Sequence, residues 1–180
     1  MEFLKTNFNG LWVIRNFAAE DSRGNFIKVF RDDLFKQIGI EFQVKESFFS
    51  ISKKGVVRGL HFQSPPHEHA KLIFCPAGAI WDVALDLRKN SETFGKLFSI
   101  ELNDKNNKAV FVPPGFAHGF QALENNSITF YLVTKENYSQ ADTGLHPLKS
   151  GFSWPLPVTL ISERDERWPP FTPTFHTPFS

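Results

Sequence analysis

Bulky aromatic residues recur along this chain in short runs, each ended by Gly, Pro, Asn or Asp. The 180 residues include 21 Phe, 4 Trp and 2 Tyr alongside 12 Pro and 11 Gly. Aromatic and β-branched side chains suit a pleated, half-buried surface, and the turn-formers stop it before it grows long. Segments 11–17, 25–30, 46–52, 56–63, 71–75, 80–87, 98–102, 109–112, 120–123 and 127–134 read as strands. Many short strands at regular spacing argue for an antiparallel sandwich or barrel. One stretch, 32–38, reads as a short peripheral helix, with Asp32 as its cap and Leu34, Phe35 and Ile38 on one face.

A length of 180 residues with 41% hydrophobic content fits a single domain with one substantial core. From Trp154 onward the composition shifts, with six prolines before Ser180, and the tail from about residue 155 is expected to wrap the surface. Charges nearly cancel, 20 Lys+Arg against 19 Asp+Glu, so no general basic field exists to hold nucleic acid or an anionic membrane. Any anion must be captured locally. The single cysteine, Cys75, closes no intrachain disulfide, and the N-terminus has no basic stretch leading into an apolar one. Nowhere do about 18 apolar residues run together as a membrane span requires. A cytoplasmic protein is expected.

Two strands alternate clearly enough to assign faces. Trp81, Val83, Leu85 and Leu87 share one side of theirs, opposite Asp82, Ala84, Asp86 and Arg88. Ile128, Phe130 and Leu132 form an apolar side opposed by Ser127, Thr129, Tyr131 and Val133. Tyr131 therefore points away from the greasier side. Faces carrying Asp and Tyr rather than Lys and Glu throughout either line a polar cavity or meet solvent, and pattern alone leaves both open.

Chemistry-bearing residues concentrate in two places. Arg58-Gly59-Leu60-His61-Phe62-Gln63 is followed by Pro65-Pro66-His67-Glu68-His69 and Lys71, and Pro113-Pro114-Gly115-Phe116-Ala117-His118 forms the second cluster. A lone strand histidine is more often structural than catalytic, but Arg and Lys beside it can build a compact positive pocket for a phosphate or a developing oxyanion. His67-x-His69 with the later His118 also echoes the metal motifs of cupin barrels. There a Glu follows the histidine pair by about four or five residues. Here those positions hold Ile73 and Phe74, and Lys71 places a positive charge beside the cation. Ligand count and charge both disfavour a metal.

The arginine-to-glutamine motif at 58–63, Lys71, the run Ala79-Ile80-Trp81-Asp82-Val83-Ala84-Leu85-Asp86-Leu87-Arg88 and Pro114-Gly115-Phe116-Ala117-His118-Gly119-Phe120 closely resemble the dTDP-4-dehydrorhamnose 3,5-epimerase family. The resemblance runs collinearly from about Phe8 to Arg167. It implies an all-β cupin-type barrel or jelly roll, a homodimer with strands exchanged between subunits, a nucleotide-diphosphate sugar as substrate, and no metal or organic cofactor. It implies that His61 abstracts a proton next to a C4 carbonyl, that Tyr131 reprotonates the opposite face, that Lys71 stabilises the enolate oxygen and that Asp165 partners His61. Arg23, Arg58 and His118 match positions that bind the diphosphate or sugar. Arg164 matches a basic contact, Asp142 a glutamate, and Tyr138 a tyrosine that stacks on the nucleotide base, with one extra residue between Tyr131 and Tyr138.

Three substrate-contact positions depart from the family pattern. Lys28 stands where a glutamate contacts the nucleoside, and Glu46-Ser47-Phe48 stands where the family has Gln-x-Asn. Lys28 reverses a charge, Glu46 turns an amide into a carboxylate, and Phe48 turns an amide into an aromatic ring. The expectation is retained epimerisation chemistry with an altered set of substrate contacts. A single-centre epimerase on another nucleotide sugar, a metal-dependent cupin enzyme and a non-catalytic sugar-nucleotide binding module are the other classes; the last has no need of an acid and a base together.

Overall fold

A computed structural model describes residues 1–179. In chain order its elements are β1 (Glu2–Lys5), β2 (Trp12–Arg15), β3 (Phe17–Asp21), β4 (Gly24–Lys28), α1 (Asp32–Gln37), β5 (Glu46–Ser52), β6 (Val57–Gln63), β7 (Lys71–Ala77), β8 (Ala79–Asp86), β9 (Leu97–Asn103), β10 (Lys108–Val112), β11 (Phe116–Ala122), β12 (Ser127–Val133), β13 (Asp142–Gly144) and α2 (Glu163–Glu166). Two antiparallel sheets face each other. One has the order β1-β2-β10-β7-β12-β5 and the other β13-β6-β11-β8-β9, while β3 and β4 pair only with each other.

The aromatic excess is divided among three cores. Between the sheets lie Leu11, Ile73, Ile80, Leu102, Val110, Phe116, Phe120 and Tyr131. Outside the five-stranded sheet, Leu60, Phe62, Val83, Leu85 and Leu87 are covered by Phe152, Trp154, Phe171, Phe175 and Phe179 of the Pro-rich tail. Outside the six-stranded sheet, Ile14, Leu72 and Phe111 pack with Phe35 and Phe42. Both faces of β8 are therefore buried, its apolar side beneath the tail and Asp82 and Ala84 inward. On β12 the burial alternates so that Ser127, Thr129, Tyr131 and Val133 are the buried set. The greasier Ile128, Phe130 and Leu132 lie on the outer face, and the side bearing Tyr131 lines the interior.

Several boundaries differ from the sequence reading. The expected strand 11–17 breaks at buried Asn16, whose N–H donates to the Asn107 carbonyl, and Phe17 begins the separate β3–β4 hairpin. Asp32 is the first helical residue rather than the cap. Arg31 occupies the cap without a side-chain hydrogen bond, and Asp32 instead pairs with Lys36 one turn on at 2.7 Å. Although α1 is peripheral, Phe35 on it is completely buried.

Candidate active site

The cleft between the two sheets has a volume of about 430 Å³. Glu46, Phe48, Arg58, His61, Lys71, His118, Tyr131, Asp142 and Arg164 all line it. The sheets supply opposite walls: His61 and Arg58 come from β6 and His118 from β11, while Tyr131 comes from β12 and Lys71 from β7. A close approach of β6 and β11 sets this arrangement. Gly59 has φ +115, and a Cβ there would lie 2.7 Å from both Gly119 Cα and the His118 carbonyl. Only glycine accommodates that conformation and spacing. The ladder register shifts between His118 and Phe120, and His118 stands directly opposite His61.

Asp165 is drawn from the tail into this site by α2, a single turn whose N-cap Ser162 accepts from the Asp165 N–H. The carboxylate is almost fully buried and lies 2.7 Å from His61 Nε2, and its other oxygen accepts from the Gly59 N–H at 3.1 Å. Burial raises Asp165, but the hydrogen bonds with His61 and the Gly59 N–H, together with the Arg164 charge, bring it below the ordinary carboxylate value. Burial lowers His61 from the usual imidazole value, with Asp165 opposing that shift and Arg164 and Lys71 adding to it. The resting pair is a carboxylate beside a neutral imidazole. Arg164 Nη2 also lies 2.8 Å from His61 Nε2, while its Nη1 donates to Asp142 at 2.7 Å. One ring nitrogen either donates to Asp165 or accepts from Arg164; the anionic oxygen is the stronger partner, which assigns the proton to Nε2 and the lone pair to Nδ1.

Lys71 is buried, and its Nζ donates across the cleft to the His61 carbonyl at 3.2 Å. Burial brings its pKa down to about 8, against the opposing pull of Asp142 and Asp82. Tyr131 is stacked on Phe48 with centroids 4.7 Å apart and meets the His118 ring edge-on at 5.7 Å. Burial raises its phenol well above the ordinary value, Asp82 adds to this and Arg58 opposes it. The phenol therefore stays protonated and available as an acid.

Not every expected contact reaches the cleft of its own chain. Arg23 stands at the turn of the β3–β4 hairpin, paired with Asp21 at 2.6 Å, and neither it nor Lys28 is among the cleft residues. Tyr138 lies beside the cleft, stacked on His67 at 3.9 Å. Glu46 accepts from the Asn137 N–H at 2.8 Å, and Arg58 Nε donates to Ser52 at 3.1 Å. Gln63, unassigned from sequence, is buried. Its amide nitrogen reaches the His67 carbonyl and His69 Nδ1, both at 2.9 Å, and its oxygen accepts from the Tyr138 N–H at 2.6 Å. That one side chain pins both loops at the cleft mouth; its sequence signal was its place at the end of the 58–63 motif. The three histidines of the metal motif are dispersed: His67 stacks, His69 engages Gln63, and His118 Nε2 lies 2.7 Å from Asp82. Among the described residues no three His, Cys, Asp or Glu side chains converge as a metal-binding group.

The sequence profile of the dTDP-4-dehydrorhamnose 3,5-epimerase family matches residues 5–173. The chain belongs to this family. The dTDP-4-dehydrorhamnose 3,5-epimerase of Methanothermobacter thermautotrophicus is 38% identical over 173 residues, covering 93% of each sequence. The crystal structure of the enzyme of that name from Sulfolobus tokodaii superposes with a TM-score of 0.86 at 42% identity, covering 94% of each chain. A dTDP-4-dehydrorhamnose 3-epimerase of Streptomyces niveus is 33% identical over 169 residues, covering 92% of this chain and 82% of that one. As an epimerase of this family the protein is an isomerase, and its two facing sheets are the cupin-type jelly roll. Among the described residues no helix is long and apolar enough to cross a membrane.

Proposed function

We propose that the protein inverts both C3 and C5 of dTDP-4-keto-6-deoxyglucose through enolate intermediates. The observation that carries this reading is the His61–Asp165 pair on one wall of a cleft whose other wall presents Tyr131. The C4 carbonyl acidifies the hydrogens on its neighbours, and inversion needs a base on one face of the sugar and an acid on the other. Neutral His61 takes the proton, and Asp165 stabilises the imidazolium that forms. Lys71, as the ammonium, offsets the charge on the enolate oxygen, an effect worth roughly several kcal/mol in such sites. Tyr131 returns a proton to the opposite face. Arg58 and Arg164 supply positive charge at the cleft for the diphosphate.

The working molecule is a homodimer in the cytoplasm. The β3–β4 hairpin pairs with neither sheet and exposes Phe17 and Phe26, while the edge strand β5 exposes Phe49 and Ile51. A second copy would cover these apolar side chains, and the hairpin would carry Arg23 and Lys28 to the neighbouring cleft. The chain acts as one domain, its tail supplying Asp165. A single-centre epimerase is the second reading, favoured by Phe48, an aromatic ring on the cleft wall at the position where the family resemblance implies an amide, and by the 3-epimerase relative. Incubation with dTDP-4-keto-6-deoxyglucose in D2O, followed by NMR of the product, separates them. Deuterium at C3 and C5 is expected; deuterium at one carbon supports the second reading, and none overturns both.

A further inference from the structure

Inversion by one base and one acid leaves both groups in the wrong state. The proton from carbon ends on His61, and Tyr131 is left as a phenolate after giving its own proton to the opposite face. Before a second inversion His61 must lose a proton and Tyr131 must gain one. Tyr131 is 8% exposed, covered by Phe48 and the edge of His118, so a sugar filling the cleft separates the phenolate from bulk water.

A second histidine–aspartate pair lies beside it. His118 Nε2 and Asp82 Oδ2 are 2.7 Å apart, and the two side chains are 2% and 0% exposed. His118 is the register partner of His61, which puts both rings on the inward face, and it meets the Tyr131 ring at 5.7 Å. His118 thus neighbours the base across the ladder and the acid across the cleft. A purely structural carboxylate on this strand looks different. Asp86, equally buried, accepts from Arg88, Ser91 and Thr93 and uses both oxygens. Asp82 Oδ1 and the Thr129 hydroxyl, two residues from Tyr131 on β12, are buried without a hydrogen-bond partner. A buried charge left half-satisfied is costly for a fold and is found where chemistry uses it.

We propose that the His118–Asp82 pair recharges Tyr131 between inversions. An N–H bond of charged His118 breaks as the O–H bond of Tyr131 forms. The proton released by His61 then returns His118 to its charged form, and Asp82 offsets that charge whenever His118 carries it. No proton or electron is consumed overall. This relay rests on the assignment of His61 as base and Tyr131 as acid.

Rapid-quench kinetics with dTDP-4-keto-6-deoxyglucose in D2O test it. With enzyme in excess, Asp82→Asn should complete its first inversion within roughly threefold of the wild-type rate. With substrate in excess it should give a burst of one inversion per site, then a steady rate lower by roughly tenfold or more, with singly inverted product accumulating. Asp82→Ser, a smaller neutral replacement, carries the same expectation should Asp82→Asn fail to fold. Equal loss of first-inversion and steady-state rates would assign the pair to sugar or acid positioning and overturn the relay, as would an unchanged steady rate. A wild-type protein inert to this sugar removes the functional reading, and the relay with it, before any variant is compared.

Discussion

Lys71 and His61 bracket a working pH range because burial acts on both in the same direction. The base must be neutral, so the rate rises with pH as His61 deprotonates, and its lowered pKa puts that limb below the ordinary imidazole value of 6.5. Lys71 must be charged, so the rate falls as pH passes about 8. A bell-shaped profile of kcat/KM is the expected outcome. Lys71→Arg should remove the alkaline limb while lowering activity, because guanidinium stays charged but fits the ammonium site poorly. A limb that remained near 8 in that variant would assign it to another group. Cys75 provides a contrast outside the cleft. It is buried, its thiol donates to the Ala77 carbonyl, and burial pushes its pKa up to about 12. It should resist iodoacetamide at about pH 8 until denaturant is added, since the thiolate is the reactive form.

At the scale of elements, the two histidines depend on how closely β6 and β11 pack. Gly59→Ala should destabilise by roughly 2–4 kcal/mol, through positive φ and contact with the Gly119 backbone, measurable as a shift in the denaturation midpoint. Ser162→Ala removes the cap of α2 at a cost of about 1 kcal/mol and should lower kcat more than it changes KM, because Asp165 loses its anchor. The strands that carry His61, Lys71 and Tyr131 were legible from local composition and turn-formers, since these are local properties; the strand read at 120–123 begins at Phe116 in the fold, so His118 lies on it rather than before it. The inward direction of the Tyr131 face was not legible, because the outer face of that sheet is also partly apolar, and period two does not say which side is inside. Asp165 reads locally as a charge in a Pro-rich tail. Ser162-x-x-Asp165 is a short helix-start signal, but bringing that turn to His61 requires the tail to cross the five-stranded sheet, a tertiary fact. The break at Asn16 was equally hidden, because apolar residues at 11–14 and at Phe17 read as one run, while the change of pairing partner from β10 to β4 is a tertiary fact.

For the whole molecule, near-neutral charge and abundant phenylalanine divide the labour. Phenylalanine fills two outer cores as well as the interior, and Arg58, Lys71, Lys135 and Arg164 give the cleft a local positive charge on a molecule that is near neutral as a whole. The phenylalanines left exposed lie on the β3–β4 hairpin and on β5, which leads to an assembly prediction. Light scattering should give twice the 20.6 kDa chain mass. Phe17→Ser with Phe26→Ser should shift it toward one chain and weaken substrate binding, because Arg23 travels with the hairpin. Every role assigned in the cleft depends on proton abstraction by His61. Solvent deuterium incorporation into dTDP-4-keto-6-deoxyglucose, compared between wild type and folded His61→Ala, tests that dependence directly. The account predicts exchange at C3 and C5 by the wild type and a loss of roughly 10²-fold or more in the variant; exchange by His61→Ala at the wild-type rate would contradict it.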